Sequence, residues 1–354
     1  MKNFSLTTEN LSLPKAATPR ARRVQVRWRD KGILDLTQGL FRCYLFPVYS
    51  PQGVPLTAES PVDHPHHNSI TVSRDGMGVL DAPGDGVVLF TPVYHAFFKK
   101  AAAKRRGVVQ SEMVLKDGRY FMDFDTLETQ LTGREKIAVL CSPHNPGGRL
   151  WSAEEIRELA AFCQKHDLLL LSDEIHMDLA FPDAKHVPTA VAAPDSIDRL
   201  VVITAASKGF NLAGGETGFM IVPDPALREK LAPVQLEYGG TPNRFGMLMT
   251  RAAFTGGQDW SEAVRAYLAE NFALWRDRIS AIPGISVMDM PSTYLTWVDF
   301  AGTGMSPEET ERRIRQDARI AQSPGADFGK GGENFHRFNI AMPRPRLNSP
   351  AKIR

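Results

Sequence analysis

A single lysine between small residues is the first feature of this chain with evident chemical potential. Lys208 stands in the run Ser207-Lys208-Gly209, directly after the apolar stretch at 200–203. A strand that leads into a tight loop can bury such a lysine in part and direct its amine into a cleft, where burial favours the neutral amine. Most lysines are solvated surface residues, so Lys208 alone is weak evidence for a nucleophile.

Two more loops carry polar residues at comparable positions. Asn145 lies in the loop SPHNPGG (142–148), and Asp173 ends the run LLLLSD (168–173). Taken singly, Asn145 suits an ordinary turn and Asp173 suits a helix cap or a solvated loop. Together with Lys208 they provide an amine for a Schiff base, an acid for a pyridinium nitrogen and a donor for a ring hydroxyl. These are the groups that a pyridoxal 5'-phosphate (PLP) site requires.

Three additional side chains suit the same cofactor or its substrate. Tyr94 can stack on a ring, although a core aromatic is an equally ordinary role. Ser207 is a candidate hydroxyl for the phosphate, and Thr204 is a weaker one. Arg337, near the end of the chain, has the guanidinium fork that binds a carboxylate through two hydrogen bonds. On spacing alone we favour a surface ion pair for Arg337.

The apolar runs predict the elements that must hold these residues. A capping box, Ser152 with Glu155, opens a helix whose apolar stripe continues to Cys163. Strands and helices that alternate in this way indicate a parallel sheet covered by helices, whose ligands bind beyond the carboxyl ends of the strands. Tyr94, Asn145, Asp173 and Lys208 each follow such a strand. The predicted strands are 87–90, 136–141, 168–171, 200–204 and 218–222.

The second half of the chain changes in character. Residues 259–282 have helical periodicity, strands are expected at 285–287, 294–300 and 335–341, and a helix opens at Ser306-Pro307. The predicted fold class is therefore α/β, with a mostly parallel sheet flanked by helices and a smaller α+β C-terminal domain. We divide the chain into an irregular N-terminal arm (1–60), a large PLP-binding domain (61–250) and a small domain (251–354).

The composition of the chain limits which partners and which location we expect. The chain has 354 residues and a formal net charge of +2, which gives no reason to expect a nucleic acid or a membrane as partner. No apolar run is long enough for a membrane span, and no secretory signal is recognisable. Three cysteines are too few for a disulfide framework, and they lack the spacing of metal ligands. Both observations favour the cytoplasm as the location.

The first 60 or so residues give two weaker signals. The segment 45–51 carries two prolines and is expected to be a loop or an edge segment, because proline cannot donate to a strand ladder. The histidines His64, His66 and His67 suggest a metal, but no acidic or cysteine partner follows at ligand spacing, so a solvated loop is the preferred interpretation and no metal is predicted.

The ordered motifs resemble fold-type I PLP enzymes, and within them the cystathionine β-lyase-like C–S lyases of the class I/II aminotransferase family. The resemblance covers about residues 82–344. The motifs that carry it are TPVYHAFF (91–98), SPHNPGGRLWS (142–152), LSDEIHMDL (171–179), SKGFNLAG (207–214), TPNRFG (241–246), STYLTWVDF (292–300) and FGKGGENFHRFNIAMPR (328–344).

The resemblance implies a role for each matched residue. Lys208 would be the Schiff-base lysine and the base, Asp173 the pyridinium partner, and Arg337 the carboxylate ligand. Asn145 and His176 would lie near the ring hydroxyl, and Tyr94 would stack on the ring. The family implies a homodimer that removes the α-proton of cystathionine or a related cysteine S-conjugate, eliminates the thiol, and releases pyruvate and ammonia.

The chain also departs from the family pattern. Three segments expected before residue 80, which would contact substrate, the neighbouring subunit and the phosphate, are not recognisable in 1–80. Position 209 is Gly where Thr is expected, and the expected final helix after Arg344 is missing. Two alternatives to the lyase therefore remain open: an aminotransferase that uses the same lysine, acid and amide, or a diverged, catalytically weak PLP-binding relative.

Overall fold

The computed structural model of the protein describes residues 45–48, 84–237 and 244–348. The predictions for the N-terminal arm, except the short segment at 45–48, lie outside these residues. The three histidines of the 64–67 segment and the segments that we could not recognise in 1–80 also lie outside them.

A seven-stranded sheet forms the larger layer of the fold. Its strands lie in the order β1-β9-β8-β7-β6-β2-β3. The four pairings among β8, β7, β6, β2 and β3 are parallel, and the pairings of β9 with β8 and of β1 with β9 are antiparallel. The sheet is mostly parallel, as predicted. Its strands are β1 (Leu45–Val48), β2 (Gly86–Thr91), β3 (Gly107–Glu112), β6 (Glu135–Cys141), β7 (Leu169–Asp173), β8 (Leu200–Thr204) and β9 (Gly218–Ile221).

Burial explains why the apolar runs became strands of this sheet. Every residue of β2 and of β8 is buried, as expected for parallel strands that are covered on both faces. The register sets Cys141 of β6 beside Asp173 of β7, and Asp173 beside Ile203 of β8. The carboxyl ends of these three strands therefore lie side by side. Leu45–Val48 lies at the edge of the sheet, in agreement with the prediction for this proline-containing segment.

Helices cover the sheet. The helix Ala153–Lys165 begins with the predicted capping box: the Ser152 hydroxyl accepts from Glu155 N, and the Glu155 carboxylate accepts from Ser152 N at 2.8 Å. The same helix buries its apolar stripe against the strands. The helices of this part are α1 (Ala96–Ala103), α2 (Phe124–Gln130), α3 (Ala153–Lys165), α4 (Thr189–Ala192), α5 (Ala206–Gly209), α6 (Pro225–Glu237) and α7 (Arg244–Gly256).

A four-stranded antiparallel sheet of order β10-β11-β13-β12 forms the second layer, towards the C-terminus. The long helix α8 precedes it, and its apolar residues pack with those of the later strands. The sheet and its helices confirm the smaller α+β part of the fold, while the residue limits of the domains stay a prediction. The elements are α8 (Gln258–Ile279), β10 (Ser286–Val287), β11 (Leu295–Asp299), α9 (Pro307–Arg312), β12 (Ser323–Pro324), β13 (Phe335–Asn339) and α10 (Arg344–Asn348).

A short hairpin projects from the larger part. Its strands β4 (Val114–Lys116) and β5 (Arg119–Phe121) form a separate two-stranded sheet. Three of its apolar side chains are exposed, while Tyr120 is buried and its hydroxyl accepts a hydrogen bond of 2.9 Å from the Trp297 indole. This bond links the hairpin to the small sheet. Within the described ranges, no helix is long and apolar enough to cross a membrane.

Candidate active site

One large cavity, of about 680 Å³, lies at the carboxyl ends of β6, β7 and β8 and extends to the small sheet. Seven of the eight site residues named from the sequence line this cavity, and Thr204 does not. The seven come from five separate stretches of the chain, so the fold brings them together. The set comprises Tyr94, Asn145, Asp173, His176, Ser207, Lys208 and Arg337.

Asp173 is the last residue of β7, and only 3% of it is exposed. Its Oδ1 accepts a hydrogen bond of 3.1 Å from the backbone N–H of Ile175. Burial raises the pKa of Asp173 to about 7, although that hydrogen bond and the charge of Lys208 act in the opposite direction. A cationic ring nitrogen placed against this carboxylate would restore its charge, which is how an acid holds a pyridinium protonated.

Lys208 lies in the short helix α5, shortly after β8. Burial lowers the pKa of its amine to about 8, with the Arg337 charge adding to the decrease and the Asp173 charge opposing it. A lysine amine whose pKa lies near neutral pH can act as a nucleophile and as a base. The directions of the two shifts agree: burial disfavours the charged forms of Asp173 and Lys208 more strongly than their mutual attraction favours them.

Gly209 explains how α5 fits against the rest of the site. A β-carbon at this position would lie 2.6 Å from the β-carbon of Asp178, too close for any real contact. Asp178 lies in a 3₁₀ turn, Met177–Leu179, that follows the Asp173 loop. The departure from the family pattern at position 209 therefore has a steric reason, because Asp178 occupies the space that a Thr side chain would need.

Asn145 lies in the loop after β6, and its backbone N–H donates to the Cys141 sulfur at 3.3 Å. The loop is held from the other side by Ser292, whose hydroxyl donates to the carbonyl of Gly148 at 2.7 Å. Gly148 has a φ of +64°, and a β-carbon there would approach the Met290 β-carbon to 2.6 Å. Only glycine suits both the backbone and the space.

Arg337 corrects our expectation of a surface ion pair. Its guanidinium lines the cavity and donates to Asn145 Oδ1 at 2.8 Å and to Ser323 Oγ at 3.1 Å. The guanidinium carbon lies 4.9 Å from the ring centre of Phe328. No salt bridge of Arg337 occurs among the described residues. Neutral partners orient this cation and leave its charge for an anionic ligand.

The aromatic side of the cavity includes a residue that sequence reasoning did not assign. Tyr94 is 5% exposed, with its ring 5.9 Å from that of Phe97. The ring of His176 lies 6.0 Å from that of Tyr294, and both line the cavity. Tyr294 stands inside the quoted stretch STYLTWVDF, so its position was visible but not its role. Burial raises the pKa of Tyr294 to about 12.

The two hydroxyl candidates differ in placement. Ser207 is buried at the cavity wall beside Lys208. Thr204 does not line the cavity, and its hydroxyl donates to the Glu174 carbonyl at 3.2 Å. Ser207 is thus the better placed hydroxyl for a phosphate. Among the described residues, no group of three or more His, Cys, Asp or Glu side chains is arranged to hold a metal ion.

The donor set fits PLP. A part-buried amine of lowered pKa, a buried acid, an amide and an aromatic ring line the same cavity, and each has the chemistry for a different part of the cofactor. Asn145 offers a specific detail: because its Oδ1 accepts from Arg337, its amide nitrogen remains to donate to a ring oxygen.

Comparison with protein families gives two matches along the chain. Residues 76–350 match the family described as aminotransferase class I and II. Residues 23–81 match a family of unknown function (DUF6807). The two matches overlap at residues 76–81, which is also where the stretch without recognisable motifs ends.

Individual proteins give the same relationship. The chain is 35% identical to cystathionine beta-lyase PatB of Bacillus subtilis over 273 residues, which are 76% of this chain and 70% of the relative. Cystalysin from Treponema denticola, whose crystal structure contains a pyridoxal 5'-phosphate cofactor, superposes with a TM-score of 0.78 at 30% identity, over 81% of this chain and 74% of that one. The PLP-bound C–S lyase from Staphylococcus hominis superposes with a TM-score of 0.75 at 28% identity, over 81% and 75% of the two chains.

Proposed function

The chain belongs to the aminotransferase class I and II family, and we propose that it is a PLP-dependent carbon–sulfur β-lyase. Its substrates would be cystathionine or related cysteine S-conjugates, and its products a thiol, pyruvate and ammonia. The observation that carries this proposal is the convergence of Lys208, Asp173 and Arg337 on one cavity. The C–S lyases among its relatives favour elimination over transamination.

Bound PLP supplies an electron sink for the electrons left when the substrate loses its α-proton. Lys208 would hold the cofactor covalently through its amine and, when the substrate's amine replaces it, take that α-proton. With a pKa of about 8, a useful fraction of this amine is neutral near pH 7 to 8. Asp173 would hold the ring nitrogen in its protonated form through the buried carboxylate.

Arg337 would orient the substrate. Its guanidinium is fixed by Asn145 and Ser323 and would bind the α-carboxylate through two N–H groups. This contact would orient the substrate so that its α-carbon faces the Lys208 amine. The amide nitrogen of Asn145 would donate to the ring oxygen, with His176 nearby.

The two remaining contacts would fix the cofactor itself. The Tyr94 ring would stack on the cofactor ring, which is worth about 0.5–1.5 kcal/mol beyond the area that it covers. The Ser207 hydroxyl would donate to the phosphate. Loss of the α-proton and cleavage of the C–S bond release the thiol. Hydrolysis with one water then gives pyruvate and ammonia, so the atoms balance without any oxidant or second substrate.

A face of the long helix α8 borders the substrate side of the cavity. Trp260, Val264 and Leu268 are spaced four residues apart, so they share one side of the helix, and all three line the cavity. Trp260 stacks on Phe210 with a ring distance of 5.9 Å. We propose that this apolar face contacts the sulfur substituent of the substrate.

Pyruvate formation tests the proposed function. The purified protein with added PLP is supplied with cystathionine or another cysteine S-conjugate, first without and then with 2-oxoglutarate. Pyruvate without a keto acid supports the lyase, whereas glutamate formed only with 2-oxoglutarate supports an aminotransferase. Absence of both products would leave a PLP-binding relative without this activity. Lys208→Ala should abolish the reaction. The matched control Lys165→Ala, which removes an exposed lysine paired with Glu128, should keep it.

We also propose that two copies of the chain associate. On helix α7, Phe245 is 74% exposed, Met247 43% and Leu248 48%. Adjacent large apolar side chains on one helix are typical of a surface that a partner covers. Light scattering should give the mass of a dimer for the wild type and a shift towards the monomer for Phe245→Asp. A monomeric wild type would refute this part of the proposal.

We propose the cytoplasm as the location of the protein. Cys141 and Cys163 are buried free thiols, which a reducing compartment preserves. Cell fractionation with antibody detection tests this, and recovery in a secreted or membrane fraction would contradict it.

A further inference from the structure

A buried group of charged side chains lies next to the cavity but does not line it. It consists of Glu174, His186 and Asp178. Glu174 is 2% exposed and the His186 side chain 8%. Asp178 is partly buried, and its Oδ2 atom has no contact with solvent. Buried charges are stable only when they are paired, so these three side chains need each other or other partners.

Glu174 directly follows Asp173 and points away from it. Asp173 lines the cavity, whereas the Glu174 carboxylate accepts from the backbone N–H of Thr189 at 2.9 Å and from the Ser172 hydroxyl at 3.1 Å. Burial alone would raise the pKa of Glu174. The hydrogen bonds from His186 and Thr189, together with the His186 charge, outweigh that effect and hold the pKa of Glu174 below its usual range.

His186 is the third side chain of this group. Its Nε2 lies 3.0 Å from Glu174 Oε2. Its Nδ1 and the Oδ2 of Asp178 are buried and make no hydrogen bond with any described residue. Burial raises the pKa of Asp178 to about 6, and the His186 charge opposes this increase. His186 is therefore in direct contact with Glu174, whereas no hydrogen bond joins it to Asp178.

The two carboxylates belong to different parts of the site. Glu174 is the neighbour of Asp173 in the chain, and its carbonyl accepts from Thr204 at the end of β8. Asp178 packs against Gly209, the neighbour of Lys208. A displacement of Glu174 would move the backbone that carries Asp173, and a displacement of Asp178 would open the niche against which α5 rests.

We propose that His186 is a positioning residue that holds Glu174 in place and, through the backbone of Glu174, also Asp173. This inference rests on the proposed function and deepens it, since Asp173 would hold the ring nitrogen of the cofactor in its protonated form. His186 does not line the cavity and would touch neither cofactor nor substrate. It would act because its hydrogen bond to Glu174 ties the loop before α4, which contains it, to the turn that follows Asp173.

The test compares three variants of the full-length protein loaded with PLP. His186→Ala removes the contact with Glu174. His186→Gln keeps an amide that can donate to Glu174 but lacks the imidazole ring. The matched control is His166→Gln, because His166 lies 3.6 Å from a carboxylate of Glu128 at the end of another helix. For each we would measure the dissociation constant of PLP, the melting temperature, and kcat and KM for pyruvate release.

We expect His186→Ala to weaken PLP binding about tenfold or more, as the loss of one hydrogen bond to a charged group would do. Its kcat should fall while KM changes little, because Arg337 is held by other residues. His186→Gln should be intermediate, and His166→Gln should match the wild type. A split between kcat and KM distinguishes positioning of the reacting groups from general loosening of the fold.

A lower melting temperature with an unchanged dissociation constant for PLP and an unchanged kcat in both His186 variants would overturn the inference. If His186→Ala does not fold, His186→Gln and Glu174→Gln decide the question, and wild-type PLP binding in both would overturn it equally. Failure of the wild type to release pyruvate would defeat the proposed lyase instead. The PLP measurements would still decide the role of His186.

Discussion

The amine of Lys208 should titrate far below an ordinary lysine. With a pKa of about 8 instead of 10.5, about 9% of the amine is neutral at pH 7, against about 0.03% for an unshifted lysine. The difference is roughly 300-fold in the concentration of the reactive form. This gain in neutral amine is what burial beside the cavity contributes to the chemistry that we propose for Lys208.

Competitive acylation of the protein without PLP measures this property directly. A trace of acylating reagent is applied at a series of pH values, and mass spectrometry follows the peptide that contains Lys208. We expect its labelling to rise with a midpoint near pH 8. The shape of the curve, rather than its height, is compared, because burial also limits access of the reagent.

Two substitutions should move the midpoint in opposite directions. Asp173→Asn removes a charge that raises the Lys208 pKa, so the midpoint should fall. Arg337→Gln removes a charge that lowers it, so the midpoint should rise. A wild-type midpoint near 10.5, or shifts of the same sign in the two variants, would refute the electrostatic reasoning for this site.

Three further outcomes follow from the geometry of the site. The pKa of Asp173 is about 7 in the folded chain without PLP, against an ordinary value of 3.8. Between these two pH values the folded state holds a proton that the unfolded state releases, so stability falls as pH rises. Asp173→Asn should therefore melt about 2 °C or more above the wild type at pH 8 without PLP, with no such gain at pH 4; equal melting at pH 8 would contradict this. Arg337→Lys should lower kcat/KM for pyruvate release about 10- to 100-fold, mainly through KM, while PLP affinity is unchanged, because an ammonium cannot replace the two-donor fork; a wild-type KM would argue against carboxylate binding. Gly209→Ala should lower the free energy of unfolding by about 1–3 kcal/mol in denaturant titrations because of the clash with Asp178. Adding Asp178→Gly should recover part of that loss. An undiminished loss in the double variant would show that the strain arises elsewhere.

Much of the fold was accessible from local sequence. The largely apolar runs at 136–141 and 200–204 became β6 and β8 because strands covered on both faces carry apolar residues at nearly every position. The capping box of α3 was readable because its partners are three residues apart. Parallel strands end at one edge of the sheet, so residues after successive strands could be expected to meet there.

Other elements depend on contacts that no local pattern encodes. β3 contains Gln110 and Ser111 and is only half-buried, so its sequence does not differ from that of a loop. The antiparallel direction of β9 is set by the chain's path and not by its composition. The surface ion pair that we favoured for Arg337 was wrong because its partners, Asn145 and Ser323, lie in distant segments.

The same limit applies within the site. The types and strand-end positions of Lys208, Asp173 and Asn145 predicted a PLP site, since each type suits one part of the cofactor, and the structure brings the three residues to one cavity. Tyr294 and His186 were not assigned, because their roles depend on contacts with residues that lie elsewhere in the sequence. The Gly at position 209 looked like a departure until the structure placed Asp178 in the same space.

The measurement that bears most directly on the proposed function is the site at which PLP attaches to the full-length chain. The protein is incubated with PLP, reduced with borohydride, digested and mapped by mass spectrometry, beside Lys208→Ala and Lys165→Ala. We expect one modified lysine per chain, Lys208, with labelling lost in Lys208→Ala and retained in Lys165→Ala. Labelling spread over surface lysines, or equal labelling of all three proteins, would contradict a PLP site built on Lys208.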